Sequence, residues 1–266
     1  MRADFYGDLM NSTLWPIDKS QVVEVAALRG EALRKAIIQP AEAVGVFLED
    51  GLVERLLADA ADEPGFLPML QEALVLLWGT MSGRLITRGS YEKLGHDGRS
   101  GLAVAMATKA DATLLSLPRN EQTTARRIFL RLVQFGEGRP DTRRRLAEAD
   151  LLAEGDDPAV FRHVLATLVD NRLLTPSPED ARGRRYDIAH EMLIVGWPAS
   201  AEWVQSRREA EKTRRRLVAK AEEWNRLGRG AGGLLDPAEL FEADHWLAAP
   251  DAEELGIDAD VRDLTA

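Results

Sequence analysis

Residues 157–198 read DPAVFRHVLATLVDNRLLTPSPEDARGRRYDIAHEMLIVGWP. Asp157 stands where a helix N-cap belongs, and Pro158 suits a first turn, where a missing N–H breaks no helical bond. Phe161, Val164, Leu165 and Leu168 then recur at three- and four-residue steps, which puts them on one helical face. After Asn171 the pattern changes. A short apolar run, a turn-rich loop and a second run with Tyr186 and Ile188 predict a β-hairpin with a long loop. A further helix is expected from about His190. Upstream, NEQTTARRIFLRLVQFG (120–136) predicts a helix with Ile128, Phe129, Leu132 and Val133 on one side. PDTRRRLAEADL (140–151) predicts a short extended piece that turns helical. Three helices followed by a hairpin is the winged-helix order.

Working outward, residues 29–62 carry helical period through Leu33, Ile37, Pro40 and Val44, then through Leu52, Val53, Leu56, Leu57 and Ala60. In EPGFLPMLQEALVLLW (63–78) a turn at Gly65 is followed by a helix that tolerates Pro68 in its first turn. Its expected apolar face is Leu70, Ala73, Leu74, Leu77 and Trp78. MSGRLITRGSYEKLG (81–95) is a connection with one small helix, and residues 101–117 are Ala/Leu-rich and helical. On the other side, residues 199–227 form one long helix. Trp203, Ala210, Leu217 and Trp224 repeat every seven residues along it, giving a seam too narrow for a strong coiled coil, so the helix is expected to pack back on the winged helix. GRGAGG stops it, and LLDPAELFEADHWLAAP (234–250) is a final helical piece.

The expected fold is therefore mainly α: a helical bundle, a winged-helix domain with a small hairpin, then a long C-terminal helix. The expected divisions are 1–22, 23–118 (bundle), 119–198 (winged helix), 199–230 (long helix) and 231–266 (helical tail).

Composition removes several functions. The 266 residues contain no cysteine, so disulfides and thiolate chemistry are excluded and a reducing cytoplasm fits best. No apolar window is long enough to cross a membrane, and no secretory signal pattern opens the chain. A net charge of −10 argues against a general nucleic-acid or anionic-membrane binder. Residues 119–200 carry 13 basic and 13 acidic side chains, and the candidate recognition helix offers only Arg162, His163 and Asn171 to base edges. A winged-helix DNA-binding regulator is thus the alternative reading. The chain has no G-x-x-x-x-G-K-[ST] loop, no H-E-x-x-H and no G-x-S-x-G. His96, His163, His190 and His245 are scattered singly, and no metal site is expected. His190 lies at a strand-to-helix junction, where free amides can meet an anion. The plain alternative is a helix-start histidine stacked on Trp197.

Five ordered pieces carry a family resemblance: RADFYG (2–7), LRGEALRKAIIQPAEAVGV (28–46), EPGFLPMLQEAL (63–74), ARRIFLRLVQFGEGRPDTRRR (125–145) and AHEMLIVGWP (189–198). Together the chain resembles the C-terminal two-thirds of the novel STAND NTPase module of bacterial signalling proteins. These are signal-transducing ATPases related to AAA+ machines and to NB-ARC switches. The resemblance implies that RADFYG is the end of a sensor-1 strand, with Arg2 facing the γ-phosphate. Residues 23–118 would be the lid and 119–198 the winged helix, with the P-loop half absent and a sensor region, often a WD-repeat propeller, beyond the long helix. Gly65 and Pro68 match the glycine–proline motif whose proline packs on adenine, spaced G-x-x-P here where the family has G-x-P. His190 matches the histidine that contacts the β-phosphate of ADP, in A-H-E here where the family often has M-H-D. The resemblance implies ATP or ADP with Mg as ligands of the intact module and none for this chain alone. No ATPase activity is expected without the P-loop. Protein partners are expected: the chain's own core and sensor, and neither nucleic acid nor membrane.

Overall fold

The computed structural model describes residues 9–23, 28–61, 65–95, 98–136, 138–178, 183–230 and 233–265. RADFYG, with Arg2, lies outside them, as does His96. The chain is mainly helical with small sheets, as the sequence predicts.

Five helices make the N-terminal bundle: α1 (Gly30–Ala43), α2 (Asp50–Ala61), α3 (Leu67–Gly79), α4 (Arg88–Leu94) and α5 (Gly101–Ser116). The expected faces hold at Leu33, Ile37, Leu52, Leu56, Leu70, Ala73 and Leu77, all buried. Two ends differ. Val44 is 64% exposed because the helix has already ended there. Gly45, at φ +74°, turns the chain, and its N–H reaches the carbonyl of Glu42 while that of Val46 reaches Ala41. This is a Schellman cap, and it puts Val46 in the core in place of Val44. Trp78 is 42% exposed near the end of α3. A parallel pair, β1 (Phe47–Leu48) with β2 (Leu85–Ile86), crosses the connections.

Helix α5 is the pillar. Residues Gly101 to Ala107 are all buried. Tyr91 on α4 packs so closely on α5 that a Cβ on Gly101 would lie 2.4 Å from its ring. Its hydroxyl donates to Asp59 on α2 at 2.6 Å. Burial, and then the Asp59 carboxylate, raise the phenol pKa and keep it a donor.

The central unit starts with α6 (Arg119–Arg131) and β3 (Val133–Gln134), which pairs antiparallel with β4 (Thr142–Arg143). Then come β5 (Leu146–Ala147), the single turn α7 (Glu148–Leu151) and α8 (Pro158–Asp170). Asp157 caps α8 by accepting the N–H of Ala159 at 2.7 Å, and the stripe Phe161, Val164, Leu165, Leu168 is buried. The hairpin is present: β6 (Leu174–Pro176) and β7 (Arg185–Ile188) pair antiparallel, and β7 is the central strand of a β5-β7-β6 sheet. Tyr186 and Ile188 alternate inward, as period two requires. Helix α9 (Met192–Val195) is one turn, shorter than the sequence predicts.

Helix α10 (Pro198–Arg226) follows. Its seam is divided between two cores. Trp203 and Ala210 pack on the core shared by the bundle and the central unit, whereas Leu217 and Trp224 belong to a second core. That second core is closed by α11 (Pro237–Leu247), α12 (Pro250–Leu255) and α13 (Ala259–Thr265), with Ala243 and Trp246 on α11 at its centre. Asp236 and Glu239 form a reciprocal capping box that starts α11.

Candidate functional site

The bundle and the central unit meet beneath the loop that precedes α3. Gly65 sits there at φ +68°, a conformation open to glycine at no steric cost. A Cβ on Gly65 would lie 3.2 Å from Nε2 of His190. The two candidate residues, far apart in sequence, are thus neighbours. His190 is 8% exposed. Its Nδ1 accepts the N–H of Met192 at 3.1 Å. An accepting Nδ1 places the proton of a neutral imidazole on Nε2, the nitrogen that faces Gly65. The amide of Met192 is thereby taken up by the histidine itself.

Pro68 is the second residue of α3 and half-buried. Phe66, next to Gly65, lines a cavity of about 230 Å³ with Arg29, Gly30, Leu33, Leu57 and Ala60. Three of these come from the LRGEALRK stretch. The sequence reading singled out neither Phe66 nor Arg29. The signal that could have found Phe66 is its place inside the G-x-x-P spacing, where the inserted residue is aromatic.

The two units are pinned beside this point. Trp197 Nε1 donates to Asp111 of α5 at 2.6 Å, and Arg172 donates to Gln71 of α3 at 2.6 Å. Arg172 has φ +59° at the end of α8, where a glycine is usual. The Trp197 ring meets Phe129 edge-on at 5.3 Å and Trp203 at 5.0 Å.

Two arginines of the 143–145 run are paired. Arg143 lies 3.0 Å from Glu191 and 4.0 Å from Asp187, and Arg145 lies 3.8 Å from Asp187. His163, on α8, is 3.6 Å from Glu121. Among the described residues no group of His, Asp and Glu is arranged to hold a metal ion, and no helix is long and apolar enough to cross a membrane.

Neither the curated proteins nor the solved structures give a match to this chain. The family model for Novel STAND NTPase 1 matches residues 1–232, which takes in the bundle, the central unit and all of α10. The chain belongs to the Novel STAND NTPase 1 family.

Proposed function

We propose that this chain is the regulatory portion of a STAND signalling switch, with residues 23–118 as its lid and 119–198 as its winged helix. The observation that carries the reading is the approach of His190 Nε2 to Gly65. One residue belongs to the stretch that resembles the adenine-side motif, the other to the stretch that resembles the phosphate-contacting histidine. Both would touch one ADP molecule when a P-loop core presents it. The cavity walled by Phe66 and Arg29 is smaller than the usual small-ligand pocket of about 300–1,000 Å³, so it suits a single base more than a whole nucleotide. The P-loop, with Mg, would supply the phosphate contacts and the chemistry of hydrolysis. Arg2 would join them from the sensor strand, and the lid would close over ADP and open with ATP.

On this reading the chain alone has no ATPase activity and negligible nucleotide affinity. About four lost charge-assisted hydrogen bonds at roughly 1.5–3 kcal/mol each approach the whole of a micromolar affinity, about 8 kcal/mol. Calorimetric titration with ADP checks this, and a dissociation constant below about 100 μM would overturn it. In a protein carrying its P-loop core, His190→Ala should speed ADP release about 10- to 150-fold, the ratio for one bond to a charged group. Stopped-flow release of a fluorescent ADP measures it. An unchanged rate in a normally melting variant would remove His190 from the switch.

A further inference from the structure

The last helices lie outside the family match, and they are held in an unusual way. Residues 250–265 carry six carboxylates and one arginine, a net of −5. They lie along α6 and α10, from which four arginines meet them. Glu254 is held by Arg126 and by Arg207, whose Nε stands 2.7 Å away. Arg207 also lies 3.4 Å from Asp251. Asp258 takes Arg214 at 2.5 Å and lies 3.6 Å from Arg131. The single cation of the segment, Arg262, donates to Glu154 of the central unit at 2.6 Å.

Arg131 is the deepest of the four and fully buried. It donates to the carbonyls of Asp150 and Leu152 at 2.9 Å each, and to those of Leu255 and Gly256 at 3.2 and 3.1 Å. Half of its acceptors therefore belong to the C-terminal segment. Gly256, at φ +76°, is the point of closest approach. A Cβ there would lie 2.5 Å from that of Ala153 and 2.8 Å from Cδ of Arg127. The buried apolar side chains of the segment are only Ala252, Leu255, Val261 and Leu264 among the described residues. Three of these, Ala252, Val261 and Leu264, belong to the small second core, so release uncovers that patch, while the ion pairs and carbonyl contacts can exchange their protein partners for water.

We propose that residues 250–265 are a removable acidic strap, seated in an arginine-lined groove between α6 and α10 that accepts an acidic helical peptide. The strap is the groove's own occupant in cis, and an acidic segment of a protein partner competes for the same seat. The inference is independent of any role in nucleotide binding.

Hydrogen exchange on the full chain tests the first half. Gly256→Asn keeps a residue that tolerates positive φ but adds the colliding Cβ. It should strip protection from 250–265 while α6 keeps its own. Gly228→Asn, at φ +81° in open space, is the matched control and should change nothing in the strap. A fluorescent peptide of sequence 250–265 tests the second half. It should bind the Gly256→Asn chain, bind the unaltered chain at least tenfold more weakly, and lose affinity at least tenfold as salt rises from about 0.05 to about 0.5 M. If Gly256→Asn unfolds the chain, Glu254→Gln with Asp258→Asn empties the seat without a steric insult, and the same results are expected. Retained strap protection in that doubly neutralised variant, no peptide binding to the opened chain, or equal binding of a scrambled peptide would each overturn the proposal.

Discussion

The two halves of α10 are held by different physics. Its first half lies on an apolar core in which Phe129, Trp197 and Trp203 meet edge to face. Its second half carries a smaller core of Leu217, Ala221, Ala243 and Trp246, beside a buried ionic network. In that network Glu211, fully buried, accepts Arg214 at 2.7 and 3.0 Å and Arg215 at 2.9 Å. Burial raises the carboxyl pKa of Glu211, but Arg214 and Arg215 outweigh it and leave the pKa below its ordinary value. For Arg131 burial wins instead: desolvation, with Arg214 adding to it, brings the guanidinium down to about 10 against the opposing pull of Asp258 and Glu211. One rod is thus anchored by a large apolar core at its start and, from about Glu211 onward, by a smaller core beside buried charges. Apolar area is not weakened by charge screening or by mild acid; charge is.

The largest expected effect breaks the apolar end. Trp197→Ala should destabilise the chain by about 3–5 kcal/mol, the usual range for removing a buried aromatic, and the loss should be the same at low and high salt. Denaturant melts at two ionic strengths check it; a salt-dependent loss would mean the Asp111 bond, not the ring, does the holding. Next, Glu211→Ala leaves two arginines facing each other without their shared carboxylate, at a loss of about 3–5 kcal/mol. Hydrogen exchange should place that loss in α12 and α13 first.

The same group gives a pH signature. A carboxylate whose folded pKa is depressed contributes stability that is fully present above its unfolded value of about 4.5 and is lost as pH falls through the folded value. Protection in 250–265 should therefore fade on acidification below about pH 4.5, ahead of the core around Trp197. Simultaneous loss would show the two halves to be one cooperative unit. Asp157→Ala should cost about 1 kcal/mol, the value of an N-cap, with no preference for either half of α10. The smallest effect is expected at Arg226, whose pairing with Glu223 is solvent-exposed: Arg226→Ala should leave the melting temperature unchanged.

What the sequence disclosed follows the same division. The cap at Asp157, the stripe from Phe161 to Leu168 and the inward alternation of Tyr186 and Ile188 were legible because each is a local pattern. The seven-residue seam from Trp203 to Trp224 was legible as a seam, but its partners were not, since period says which face is buried and not against what. The β1–β2 pair is two residues long on each side, too short for any period to register. Val44 was misplaced because helical spacing runs on past a cap, and Gly45 was the overlooked stop. The second core is built from alanines, one tryptophan and paired charges, a composition that reads as solvent-facing helix. Gly65 as a turn and His190 at a strand-to-helix junction were legible locally, but their being neighbours was not, since no spacing rule links a turn glycine to a distant ring. Of the residues lining the cavity beside them, Phe66 carries only its place in the G-x-x-P spacing, and Arg29 carries no pattern of its own.

Gly101 has a consequence for how freely this chain can vary. Its missing side chain is what lets the Tyr91 ring lie against the start of α5. A methyl there would displace a ring that is itself fixed by Asp59, and α4 would have to move with it. Position 101 therefore admits one residue. A saturation library at that codon, sorted for folded protein, should return glycine almost alone, while the neighbouring Ser100, exchangeable for another capping side chain, drifts.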